Sequence, residues 1–167
     1  MMLSNELLRL KLDNKNYFSF YLKTVDARID NDGVVIFHTE DNDIECGDGP
    51  LIYGDASGII NDLIMYIQWV LESVPIEKDF IDEMGAYFYH NCIDKVINMR
   101  ISKYIFTSGR SSIVWLYKVA DANYFIEVTR GSKFAPESDF QKIYSETISE
   151  KKLKNWIVKL ESSRSFI

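Results

Sequence analysis

The sequence predicts an α+β protein with antiparallel sheet, in the order βββ-αα-βββ-α(α), folded as a single domain over residues 1–167. Three observations lead there. Period-2 apolar alternation marks strands within the first forty residues, two long stripes at three- and four-residue spacing follow, and a β-branched, aromatic stretch then resumes with hairpin-length breaks. Strands and helices therefore come in blocks rather than in the strict alternation of a parallel sheet. No repeat of residue identities accompanies the recurrence of strand blocks.

Each element has a local reason. Leu8, Leu10 and Leu12 alternate with Arg9 and Lys11, a half-buried strand. Asn14–Asn16 turns the chain into residues 17–29, where Phe18, Phe20 and Leu22 share one face. Asp30-Asn31-Asp32-Gly33 predicts a hairpin turn, since these residues tolerate positive φ, and Val34–Phe37 returns as the third strand. An acidic loop is expected from Glu40 to Asp55. Ile59, Ile60, Leu63, Ile64, Ile67, Val70, Leu71 and Val74 then form one helical stripe, capped by Asp55 or Ser57 and ended by Pro75. A second helix is expected over 77–98, with Phe80, Met84, Phe88, Cys92 and Val96 as its stripe and Gly85 at a close packing point. Strands are predicted at 101–107, 113–120 and 124–129, separated by Ser108–Ser111 and Asp121–Asn123. The tail from Glu137 to Ser162 reads as two helical pieces that break near Ser149. In the second, Leu153, Trp156, Ile157 and Leu160 face inward while Lys151, Lys152, Lys154 and Lys159 stay in water.

Composition narrows the class. With 167 residues, 47% of them hydrophobic, the chain can bury a substantial core without disulfides or metals. Two cysteines are too few for a disulfide framework and fit a reducing compartment. Charged residues interrupt the first turns of sequence where a signal peptide needs an apolar core, so a cytoplasmic location is expected. The stretch from Ile59 to Leu71 contains Asn61, Asp62 and Gln68 and is too short and polar to span a bilayer.

Recognisable catalytic chemistry is missing from the residues. His38, Cys46, His90 and Cys92 could supply soft metal ligands, but Cys92 falls on a helical apolar stripe and His90 pairs more naturally with Asp94. Cys46 lies among carboxylates, which raise a thiol's pKa and oppose a reactive thiolate. Starting an EF-hand loop at Asp41 puts Cys46 at the glycine position and Ile52 at the closing glutamate. No P-loop or Gly-x-Ser-x-Gly elbow occurs, so neither an enzyme nor a cofactor is expected.

Charge is the informative feature. Net charge is −6, and residues 26–62 hold ten acids against one arginine. Arg100, Lys103, Arg110, Lys118, Arg130 and Lys133 form a thin basic region on later strands, but the acidic lobe opposes nucleic acid. A rigid acidic surface is complementary to a basic protein and steers it at long range. Glu40, Asp41, Asp43, Glu45 and Asp48 are the expected electrostatic contacts, with Phe37 and Tyr53 as aromatic anchors beside them.

In size, acidity, aromatic content and lack of catalytic motifs, the whole chain resembles the small α+β immunity proteins that accompany bacterial polymorphic and contact-dependent growth-inhibition toxins. That resemblance implies a cognate toxin domain as partner, held at or beside its active site; the acidic surface suits a basic toxin of nuclease type, and neither nucleic-acid nor membrane contact is expected. The alternative is a small-ligand module or enzyme whose pocket lies between sheet and helices. A third is a subunit or adaptor of a larger assembly.

Overall fold

A computed structural model describes residues 2–25, 28–41, 43–47, 56–73, 75, 102–107, 112–130 and 141–167. They form two four-stranded antiparallel meanders, each followed by a helix. The first sheet runs β1 (Met2–Lys11), β2 (Tyr17–Val25), β3 (Arg28–His38) and β4 (Asp43–Gly47) in sequence order. Helix α1 (Ala56–Leu71) comes next. The second sheet holds β5 (Ser102–Thr107), β6 (Ser112–Ala120), β7 (Asn123–Arg130) and β8 (Gln141–Ser149), and leads into α2 (Glu150–Ser163). The two strand blocks therefore make separate sheets, and the fold is α+β as the sequence predicts. The helix expected over 77–98 lies outside the described residues.

One contiguous core joins both sheets and both helices. Leu8, Leu10, Phe18, Phe20, Val35, Phe37 and Ile44 enter it from the first sheet, Val114, Leu116, Ile126, Val128 and Ile148 from the second. The predicted α1 stripe is buried at Ile59, Ile60, Leu63, Ile64, Ile67 and Val70, and α1 ends where Ser73 turns back to the Val70 carbonyl, two residues before Pro75. In α2 the buried stripe is Leu153, Trp156 and Leu160, and Ser149 caps the helix by accepting from the Lys152 amide at 3.2 Å. Lys152 does not stay in water: it is half-buried and its Nζ donates to the Leu12 carbonyl.

Three other expectations change. Residues 43–47 are a strand, not part of a loop: Asp43 pairs with His38, Ile44 with Phe37 and Glu45 with Ile36, which buries Ile44. Residues 141–149 are a strand rather than a helix, because β7 presents an open edge whose backbone groups need partners, and pairing along β8 satisfies them. The turn expected at Asp30–Gly33 is strand: Val25 pairs with Arg28, so the reversal falls earlier. Gly33 serves a different purpose, since a Cβ there would stand 3.1 Å from the Ala56 Cα and from Ile59 Cδ1. Only glycine lets the start of α1 approach β3 this closely. The Asp121–Ala122 reversal is present, with Ala122 at a positive φ of 60°.

Candidate functional site

Strand parity divides the first sheet. The even-numbered Phe18 and Phe20 face the core, so Tyr17, Ser19 and Tyr21 face out, joined by Arg9 on β1, His38 on β3 and Asp43 on β4. Tyr17, His38 and Asp43 are direct cross-strand neighbours and form a ladder. The Arg9 guanidinium carbon lies 4.3 Å over the Tyr17 ring. On the other side of that ring His38 stacks at 4.7 Å and 25°. His38 Nδ1 is 2.6 Å from Asp43 Oδ1, and Tyr21 meets the imidazole edge-on.

Glu6 completes the face. A register shift between Glu6 and Leu8 adds a residue to β1, which turns Glu6 to the same side as Arg9. Its carboxylate accepts both arms of Arg9, at 2.8 and 2.7 Å, together with Ser19 Oγ at 3.2 Å and Tyr21 Oη at 3.5 Å. Those donors, Arg9 first, hold the Glu6 carboxyl below its ordinary range. The His38 tautomer with a proton on Nδ1 donates it to Asp43 Oδ1. The other ring nitrogen, Nε2, is buried and has no hydrogen-bond partner among the described residues.

The expected contact residues separate into groups. Glu40, Asp41 and Asp43 are exposed around the β3–β4 reversal, beside the ladder. Glu40 pairs with Lys15 at 2.8 Å, but both side chains are about two-thirds exposed, so that bridge holds weakly and can be exchanged. Glu45 is placed in β4 opposite Ile36. Asp48 and Tyr53 lie outside the described residues. Phe37 is fully buried and offers no surface, because it shares the core-facing parity of Val35. Among the described residues of the first sheet, the aromatic side chains on the outer face are Tyr17 and Tyr21. Their signal was present in the alternation of residues 17–22, but it becomes a site only when Glu6, Arg9, His38 and Asp43 join from three other strands.

Among the described residues, a small void lies on the core side of this sheet. The void beside Gly33, lined by Leu7, Phe20 and Ile59 among others, measures about 10 Å³, room for one water and not for a metabolite. No three His, Cys, Asp or Glu side chains among the described residues converge as metal ligands. No helix among them is long and apolar enough to cross a membrane.

Acid should destabilise the fold through carboxyls of the first sheet and its β1–β2 turn. Glu6 is held low by Arg9, and Asp13 is held low by the Asn16 side-chain amide and the Lys15 backbone N–H. A carboxyl whose pKa is depressed on folding contributes stability above its ordinary value, here 4.5 and 3.8, and loses it as pH falls through the folded value. Denaturant midpoints taken from about pH 6 down to about pH 3 should therefore decline. Glu6→Gln should flatten the decline, and an unchanged slope would remove Glu6 from it.

Compared with protein-family models, with curated proteins and with solved structures, the chain matches none.

Proposed function

We propose that this chain is an immunity protein, which binds one basic toxin domain of nuclease type and occludes its active site through the outer face of the first sheet and the β3–β4 tip. The observation that carries this reading is the placement of exposed Glu40, Asp41 and Asp43 around one strand reversal, next to the stacked Tyr17 and His38 rings. Carboxylates there attract a surface built to hold phosphates, and fixed aromatic rings supply contact area at small entropic cost. Inhibition by occlusion needs no catalytic group. Tyr17 and Tyr21 take the anchoring role for which Phe37 is buried too deeply.

The test is growth protection. The C-terminal domain encoded by the neighbouring upstream gene is expressed in a susceptible cell with and without this chain. Rescue of arrested growth is the expected result. A toxic neighbour combined with a folded chain that gives no rescue would exclude immunity to that partner. For a protected pair, the triple change Glu40→Gln, Asp41→Asn and Asp43→Asn should slow association several-fold and flatten its salt dependence. Unaltered association kinetics would remove the tip from the interface.

A further inference from the structure

Arg9 occupies a setting built for a ligand cation. Its guanidinium is forked by one carboxylate and covered by one tyrosine ring, the two features that recognise an arginine from outside. Neither feature depends on Arg9 to stay in place. Glu6 is also held by Ser19, whose side chain is fully buried, and by Tyr21. Tyr17 is braced on its far side by His38, which Asp43 anchors. Arg9, in contrast, is 41% exposed on a flexible stem and can swing into water while the receptor remains.

We propose that Glu6, Tyr17, Ser19 and Tyr21 form a guanidinium receptor that Arg9 fills in the free protein and that an arginine of the bound partner takes over. The assignment of that arginine to a toxin rests on the immunity reading; the receptor does not. An incoming guanidinium recovers the fork and the ring contact that Arg9 gives up, so the exchange conserves hydrogen bonds. The exposed Glu40, Asp41 and Asp43 raise the local concentration of basic segments at its mouth. Arg9 acts as an internal competitor, which rejects lone cations and yields to an arginine carried by a surface that makes further contacts.

The receptor is tested with N-methylguanidinium chloride, against potassium chloride at equal ionic strength, by two-dimensional NMR. In Arg9→Ala the amides of Glu6, Tyr17, Ser19 and Tyr21 should shift saturably. The natural chain should respond at least about tenfold more weakly, because a tethered competitor acts at high effective concentration. Adding Glu6→Gln to Arg9→Ala should abolish the response. No saturable shift in Arg9→Ala, or one that survives Glu6→Gln, would overturn the receptor. With a protected toxin domain, Arg9→Ala should bind several-fold tighter and Glu6→Gln several-fold weaker, while Lys159→Ala, the same charge change on α2, should not reproduce the gain. Probe binding without growth protection would overturn the toxin as partner and leave the receptor standing. Self-association abolished by Glu6→Gln would instead assign the occupant to Arg9 of a second copy.

Discussion

Phe37→Ala is expected to lower the unfolding free energy by about 3–5 kcal/mol, the usual cost of emptying a buried phenylalanine site. The ring is wholly enclosed. It packs 4.7 Å from Phe18 on the neighbouring strand and 5.4 Å from Tyr144 of the other sheet. Truncation would leave a cavity where the two sheets meet, and backbone pairing on both sides limits how far the site can collapse. Against a total stability of about 5–15 kcal/mol, this is enough to deplete the folded state in a cell. Growth protection would then fall through loss of folded protein, and denaturant melts would show it. Tyr17→Ala separates the two effects, since the ring it removes lies on the outer face: protection should weaken with little change in midpoint. A Phe37→Ala midpoint equal to that of the natural chain would contradict its place in the core.

Trp156→Ala should be comparably severe, at about 3–5 kcal/mol. Trp156 is 1% exposed, stands edge-on to Phe18 at 6.1 Å, and donates from Nε1 to the Lys11 carbonyl at 3.2 Å. With Lys152 donating to Leu12, it ties the last helix to the end of the first strand, across nearly the whole sequence. Trp156→Phe keeps most of the apolar bulk and removes the donor, so a loss of about 1–2 kcal/mol is expected. Hydrogen exchange gives the sharper readout. In Trp156→Ala, protection of amides in α2 and β1 should fall together, because each shields the other. Loss confined to α2 would show that β1 does not depend on this contact.

Much of the fold was legible locally. Leu8, Leu10 and Leu12 mark a strand because side chains alternate across a sheet, and the Ile59–Val70 stripe marks a helix because its spacing matches 3.6 residues per turn. Ser149 was readable as a boundary because its hydroxyl can take an orphan amide at a helix start. Where the reading failed, a distant partner decided. Tyr144 and Ile148 are four apart and suit a helix as well as a strand, and the open edge of β7 selected the strand. Asp43 and Glu45 disfavour β structure by propensity, but Ile44 between them fills a place beside Phe37.

The candidate site divides along the same line. The sequence by itself determined the acidic balance, the α+β class and the parity that turns Tyr17 and Tyr21 away from Phe18 and Phe20. Strand pairing decided that Glu6 and Arg9 meet on one face, that His38 lies between Tyr17 and Asp43, and that Phe37 belongs to the core. Charge and periodicity are properties of neighbouring residues, whereas a receptor needs register among four strands, and register is set by which backbone edges pair and which side chains the shared core accepts.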